Sequence, residues 1–170
     1  MDGVAQLVHS SGFVFIGEFK YGIAAPYGKI LYPNGNIYFG QHKEFFKFGL
    51  GKMIYFNGDL YEGNWENDKR NGKGRYLYGQ DGCIGVYIGE FLDDKRNGKG
   101  RFYDAVKEEI FEGEWNNDKK NGEGTLVKRQ TCEVITGDLR NDLFEGKQRY
   151  DKVLPKADIE MYFSRAIKDN

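Results

Sequence analysis

Three short stretches of the chain combine glycine with lysine and arginine, residue types that can bind phosphate. Residues 67–74 read NDKRNGKG, residues 93–100 read DDKRNGKG and residues 117–124 read NDKKNGEG. Such a loop could hold an anion, because glycine lets backbone N–H groups approach a phosphate while the basic side chains supply charge. The same letters could equally be a polar turn that a repeated fold needs several times.

The charge of these stretches changes sign along the chain. Residues 61–75 and 87–101 each carry four basic and three acidic side chains, a net +1, whereas residues 111–125 carry two basic and four acidic ones. A phosphate-binding ridge would stay positive, so binding to an anionic phospholipid would be weak and salt-sensitive. The candidate lipid contacts are Lys69, Arg70, Lys95 and Arg96.

No catalytic, cofactor or metal site is predicted. The chain has neither a Gly-x4-Gly-Lys-Ser/Thr phosphate loop nor a Gly-x-Gly-x-x-Gly opening a helix. His9 and His42 are far apart and have no Cys or carboxylate at ligand spacing. His42 takes an apolar slot of a repeat, where we expect a packed or partner-facing ring rather than a metal ligand. Cys83 and Cys132 are too few for a disulfide framework or a zinc site, which predicts reduced thiols. We expect no enzyme activity.

Length and composition limit the class of protein. A chain of 170 residues suits one domain or one repeat array. The net charge of -1 gives no general attraction to nucleic acid or to an anionic membrane, and we expect no nucleic-acid partner. The N-terminal residues show no secretory signal, and no apolar run reaches the roughly 20 residues of a membrane-spanning helix. We expect a soluble, cytoplasmic protein.

Glycine and aromatic residues recur with a period of 23 to 26 residues. Each unit opens on an anchor residue, with a glycine two positions later, a large apolar residue in most units two beyond that, then a polar turn and a Gly-x-Gly pair. The anchors are Phe15, Tyr38, Tyr61, Tyr87, Phe111 and Ile135. Spacing by two places anchor, glycine and second ring on one face of a β-strand, with acidic residues opposite. Each unit is therefore predicted to be one β-hairpin.

An isolated hairpin is marginal in water, so the hairpins must pair side by side. The predicted fold is all-β: an elongated, twisted antiparallel single-sheet array of about six hairpins with a short C-terminal α-helix. The glycines would let neighbouring rings lie flat on the backbone. We assign residues 1–12 to a partial leading repeat, 13–152 to the array and 153–170 to an amphipathic helix.

The C-terminal segment has helical spacing of its apolar residues after Pro155. This helix either caps the edge of the last hairpin or docks on a partner, such as a second copy of the chain. Its candidate cap or partner-binding residues are Ile159, Tyr162, Phe163 and Ile167.

The units resemble the MORN repeat (membrane occupation and recognition nexus), whose pattern is Tyr-x-Gly-Glu-Trp, a polar turn and Gly-x-Gly-x-Leu. YEGNWENDKRNGKGRYLY, YIGEFLDDKRNGKGRFY and FEGEWNNDKKNGEGTLV match closely, and the resemblance extends over residues 13–151. The family usually has Asn-Gly in the first turn, where this chain has Asn-Asp or Asp-Asp.

The resemblance implies a non-catalytic scaffold, since such arrays occur in axonemal, radial-spoke and other cytoskeletal proteins and as appendages to enzymes. We expect protein partners in a cytoskeletal or ciliary (axonemal) assembly, with a homodimer as a candidate state and a phospholipid-binding adaptor as the alternative. The rings expected either to bind a partner or to serve only as core are Phe15, Phe19, Tyr38, Tyr61, Trp65, Tyr87, Phe91, Phe111 and Trp115.

Overall fold

The protein is a single open antiparallel sheet of 13 strands in chain order with one short C-terminal helix, which confirms the predicted fold class. The computed structural model describes residues 2–79 and 84–168, without the side chains of 147–153 and 165–168. Cys83 therefore lies outside the described residues, whereas Cys132 is a free thiol.

The strands pair with their sequence neighbours throughout. The elements are β1 (Gly3–Val8), β2 (Val14–Lys20), β3 (Ile23–Leu31), β4 (Ile37–Lys43), β5 (Phe46–Ile54), β6 (Leu60–Glu66), β7 (Lys69–Tyr78), β8 (Gly85–Leu92), β9 (Lys95–Asp104), β10 (Glu109–Asn116), β11 (Lys119–Lys128), β12 (Glu133–Arg140), β13 (Leu143–Val153) and α1 (Lys156–Lys168). Strand β1 lies within the region assigned to a partial leading repeat.

The turns within the hairpins have positive φ at both central residues, which is the backbone of a type I′ turn. At Asn67 and Asp68 the φ angles are 49° and 68°, and at Asp93 and Asp94 they are 49° and 69°. Asn and Asp tolerate the left-handed region better than other non-glycine residues do. The replacement of Asn-Gly by Asn-Asp or Asp-Asp therefore leaves the turn type of a tight hairpin intact.

A row of glycines crosses the sheet from β2 to β12, one on each strand and directly opposite the next. The row comprises Gly17, Gly28, Gly40, Gly51, Gly63, Gly74, Gly89, Gly100, Gly113, Gly124 and Gly137. Anchor rings lie flat on it: a Cβ at Gly28 would come within 2.1 Å of the Phe15 ring, and one at Gly74 within 2.5 Å of the Tyr61 ring. The rings therefore reach the backbone only because the glycines have no side chain.

Helix α1 packs on the face of the sheet opposite these rings. Ile159 and Phe163 are buried against Ile110 of β10 and Val127 of β11. Ile110 precedes the anchor Phe111, so its side chain projects from the other face. The sequence had suggested a helix covering an edge, whereas the helix lies on the sheet face, because that face carries apolar side chains here.

Candidate interaction surface

The predicted ring residues form a buried layer on one face of the sheet. The ring layer comprises Phe15, Phe19, Tyr38, Tyr61, Trp65, Tyr87, Phe91, Phe111 and Trp115, and none of these side chains is more than 7% exposed. The anchor rings are the most deeply buried of them, because each lies on glycines of its own hairpin.

Ring contacts in this layer run both within and between repeats. The Trp65 ring stands edge-on to Tyr61 of its own hairpin, with centroids 5.0 Å apart, and to Tyr38 of the preceding one at 5.6 Å. Trp65 Nε1–H also donates to the carbonyl of Gly51 at 3.2 Å. The Tyr61 hydroxyl donates to the carbonyl of Asn64 at 2.9 Å, and burial raises the pKa of this phenol. These contacts join the repeats; direct binding of a partner by the rings stays a prediction.

Two of the four candidate lipid contacts lie inside the ring layer. The Arg70 guanidinium lies 5.0 Å from the Tyr76 ring centroid and 5.2 Å from that of Phe91, and its Nε is 3.1 Å from Asp94 Oδ1. Arg96 repeats the arrangement one hairpin later, over the Trp115 ring at 4.2 Å. Both guanidiniums therefore carry intramolecular contacts on the aromatic side.

The other two candidate lipid contacts, Lys69 and Lys95, are exposed. They precede Arg70 and Arg96 in their strands, so alternation directs their side chains to the opposite face. Lys69 Nζ is 2.9 Å from Asp93 Oδ1 in the next hairpin turn. Of the four positive charges, two therefore remain at the surface.

Aspartates in the hairpin turns connect successive repeats, a feature that the sequence reasoning missed. Asp94 Oδ1 accepts a hydrogen bond from the Arg70 backbone N–H at 2.9 Å, and the Asp94 backbone N–H donates to the Arg70 carbonyl at 3.0 Å. The same two hydrogen bonds, one to the aspartate carboxylate and one from its backbone N–H, recur along the array, and we call the set the turn ladder. Its pairs are Lys47–Asp68, Arg70–Asp94, Arg96–Asp118 and Lys120–Asp142. The detectable signal was the recurrence of aspartate at the second turn position.

Open clefts lie on the face opposite the ring layer, which we call the cleft face. Side chains stand there in registered rows: Ile88 opposite Arg101, Arg101 opposite Glu112, and Lys99 opposite Glu114. Arg101 Nη2 is 2.9 Å from Glu112 Oε2. These residues, with Glu123 and Thr125, line a cleft of about 560 Å³ whose floor is the glycine row. A cleft of about 540 Å³ continues it along the array towards β5, and one of about 660 Å³ adjoins it on the same strands, nearer the hairpin turns.

The predicted helix residues lie at the C-terminal end of the cleft face. Ile159 and Phe163 are buried there, and the Tyr162 hydroxyl donates to Glu112 Oε2 at 3.2 Å. The side chain of Ile167 lies outside the described residues. Arg129 joins helix and sheet, with Nη2 2.7 Å from Glu160 Oε2 and Nη1 2.9 Å from Glu108 Oε1. Both apolar and ionic contacts therefore hold the part of α1 around Ile159 to Phe163 against the sheet.

His42 is a packed ring, which is one of the two outcomes that its slot in the repeat had left open. Its side chain is 8% exposed, and its ring centroid lies 4.7 Å from that of Phe15. Within residues 2–79 and 84–168, no group of three or more His, Cys, Asp or Glu side chains is placed to hold a metal ion. None of the helices among these residues has the length and apolarity needed to span a membrane.

Comparisons with known proteins bear on the family. A family model described as "MORN repeat" matches residues 15–37, 61–83, 87–106 and 111–129, together half of the chain. No curated protein matches significantly. Among solved structures, the chain is similar to the SAS-4 (dCPAP) TCP domain of Drosophila melanogaster, solved with a proline-rich motif of Ana2 (dSTIL). Identity is 13%, coverage is 88% of this chain and 90% of that chain, and the TM-score is 0.39.

Proposed function

Since the chain belongs to the MORN-repeat family, we propose that it is a non-catalytic scaffold that holds a protein partner along the cleft face of its array. MORN repeats indicate a protein-interaction or membrane-associated scaffold, and proteins built from them are generally non-catalytic. The ring layer and the turn ladder keep the repeats in fixed register, which is what a scaffold requires of its binding surface.

The observation that carries this proposal is the difference between the two faces. The ring face is filled by its own aromatic and cationic side chains, whereas the cleft face holds consecutive clefts lined by charged side chains such as Lys73, Lys99 and Glu114. A groove that combines charge with exposed backbone suits an extended or helical protein segment.

We place the protein in the cytoplasm, within a ciliary, axonemal or other cytoskeletal assembly. The support is the occurrence of array-only MORN proteins in such structures. Proximity labelling in ciliated cells tests this setting: axonemal proteins are expected among the labelled neighbours, and their absence would contradict it.

Charge reversal on the cleft face tests the binding role. Lys73 and Lys99 occupy the same position in successive repeats and line the clefts. The double variant Lys73→Glu, Lys99→Glu is expected to lose most labelled neighbours, as measured by quantitative mass spectrometry. The matched control Lys69→Glu, Lys95→Glu makes the same charge change on the same face but outside the clefts, at the exposed starts of the strands, and should retain them. Equal profiles for both variants and the wild type would overturn the proposal.

The membrane alternative is weakened by the positions of Arg70 and Arg96, which are engaged in the ring layer and the turn ladder. We expect no stable binding to vesicles of phosphatidylserine and phosphatidylcholine near 0.15 M salt, where the Debye length is only about 8 Å. Flotation measures this directly. Robust vesicle binding by the wild type that is lost in the Lys69→Glu, Lys95→Glu variant would show that the protein is a lipid-binding adaptor and contradict the proposed protein scaffold.

A further inference from the structure

The second strand of each hairpin begins with three alternating side chains that project onto the cleft face. In β7 and β9 these positions are polar, whereas in β3 and β5 they are apolar. The polar sets are Lys69, Asn71, Lys73 and Lys95, Asn97, Lys99; the apolar sets are Ile23, Ala25, Tyr27 and Phe46, Phe48, Leu50. The fold does not need apolar residues here, because the central repeats form without them.

The apolar positions are also highly exposed. Phe46 and Phe48 flank the buried Lys47, so both project away from the ring layer, and the Leu50 backbone N–H donates to Gln41 Oε1 at 2.8 Å on the same face. The N-terminal apolar patch, as we call it, consists of Ile23, Tyr27, Phe39, Phe46, Phe48 and Leu50, with exposures from 40% to 73%. The exposed apolar side chains thus form two rows, one on β3 and one on β5, with Phe39, Gln41 and Lys43 of β4 between them, and exposed apolar surface of this extent marks a binding site on a water-exposed protein.

Lysines border this patch. In the strand register Lys20 stands opposite Ile23, Lys29 opposite Phe39 and Lys43 opposite Phe46. Lys29 Nζ lies 5.1 Å from the centroid of the Phe39 ring, so one of these charges borders the patch directly. A second copy docking through the same patch would bring two positive rims together, which costs affinity. The charge favours an occupant with acidic flanks.

The chain's own helix shows what the cleft face can bind. At the C-terminal end of this face, α1 places Ile159 and Phe163, four residues apart, over Ile110 and Val127. Beside that apolar pair, Glu160 forms a 2.7 Å ion pair with Arg129, in the turn that follows β11. The element that binds to this face is thus an amphipathic helix, and its acidic residue Glu160 pairs with the basic residue Arg129.

We propose that the N-terminal apolar patch is the docking site for an amphipathic helix of a partner protein whose apolar stripe is flanked by Asp and Glu. The proposal rests on the scaffold function above and specifies the chemistry of the partner. The apolar stripe covers Tyr27, Phe39 and Leu50, while its acidic flanks meet Lys29 and neighbouring lysines. Ion pairing across the rim gives the contact a dependence on salt.

Selection from a random peptide library displayed on phage tests this chemistry without knowledge of the partner. Peptides of about 18 residues span five helical turns, enough to cross the patch. The wild-type chain is expected to enrich peptides with apolar residues at i, i+3 and i+4 and an excess of Asp and Glu. Synthetic versions of the enriched peptides are then measured by fluorescence anisotropy.

The variant Phe46→Lys, Phe48→Asn, Leu50→Lys tests the contribution of the patch to peptide binding separately from that of the rest of the array. It installs the residues that β7 carries at the same positions, so folding is retained, and far-ultraviolet circular dichroism checks this. We expect it to bind the selected peptides at least tenfold more weakly, a loss of about 1.4 kcal/mol or more. The control Val106→Asn removes a comparably exposed apolar side chain in the turn between β9 and β10, away from the patch, and should bind as the wild type does.

Several results would overturn the proposal. They are no enrichment, enrichment of basic peptides, unchanged affinity in the triple variant, or a wild-type dimer in gel filtration that the triple variant disperses. Anionic vesicles that bind the wild type but not the triple variant would also overturn it, in favour of a membrane contact. A Glu114→Lys variant alters the two central clefts that Leu50 does not line, and it should still bind the selected peptides, so failure at the central clefts and failure at the patch are distinguishable.

Discussion

At the scale of the residue, the packing of the aromatic rings depends on glycines, which have no side chain. The three atoms nearest to a Cβ built on Gly100 all belong to Tyr87, with Cε2 and Cζ both at 2.5 Å. Contacts this short cannot exist in a folded protein, so the ring or the strand would have to move. The aromatic ring and the glycine beneath it thus act as one unit.

We expect Gly100→Ala to lower the free energy of unfolding by about 1–3 kcal/mol, the usual cost of overpacking a core. Urea unfolding measures it. In a Tyr87→Leu background the same substitution should cost less, because the clashing ring is gone. An equal cost in both backgrounds would mean that the ring is not what excludes Ala.

His42 makes stability depend on pH. Burial lowers its pKa below the ordinary value of 6.5, and its Nδ1 accepts a hydrogen bond from the Phe45 backbone N–H at 3.4 Å, which requires Nδ1 to be unprotonated. The unfolded chain therefore binds a proton that the folded chain excludes. The corresponding stability is complete above the unfolded pKa and is lost as pH falls through 6.5 towards the folded pKa.

Between about pH 5 and pH 7.5, the free energy of unfolding of the wild type should fall more steeply with acid than that of His42→Phe. Phenylalanine is a matched control, because the repeats carry Phe19 and Phe91 at this position. Parallel pH profiles for the two proteins, measured by urea unfolding, would contradict the assignment.

At the scale of the element, the hairpins are joined by the turn ladder as well as by strand pairing. Asp94 satisfies the Arg70 backbone N–H and places its carboxylate beside the Arg70 guanidinium. The ion pair itself adds little, because Asp94 is nearly half exposed. The backbone hydrogen bond and the tolerated left-handed conformation are therefore the main contributions of this side chain.

Replacing Asp94 should separate these contributions. Asp94→Ala is expected to cost about 1–3 kcal/mol, because an N–H loses its acceptor and Ala is strained at φ 69°. Asp94→Asn should keep most of the stability, since an amide oxygen accepts the same bond and Asn tolerates the turn. Asp93→Asn, at the neighbouring exposed ion pair, should change stability by less than about 0.5 kcal/mol. Equal losses of stability for Asp94→Ala and Asp94→Asn would refute the role of the Asp94 side chain as acceptor for the Arg70 backbone N–H.

At the scale of the whole molecule, the chain forms a one-dimensional array. Each strand pairs only with its sequence neighbours, and the core is the ring layer that runs along the sheet. The two ends of the cleft face differ: the N-terminal end exposes the apolar patch, and the C-terminal end carries α1. This polarity gives a scaffold two chemically different ends.

Small-angle scattering should detect the elongation. Thirteen strands about 4.8 Å apart span roughly 58 Å, so the pair-distance distribution should extend to at least that length. A compact 170-residue globule would have a radius of gyration of about 15–16 Å, and we expect a larger value. A measured value at or below that of the globule would contradict an open array.

The sequence by itself determined the hairpin array, because a period of 23 to 26 residues and alternation by two specify strands, turns and the face that each ring occupies. It also predicted that glycines lie beneath rings, which the register confirms. Only the tertiary structure decided which face is filled and which is open, since alternation separates two faces without saying what covers either. The sequence predicted that Arg70 and Arg96 are surface charges, whereas in the structure they lie in the ring layer and form hydrogen bonds to aspartates more than 20 positions away. Contacts between repeats depend on how hairpins stack in space, and this is why local spacing could not show them.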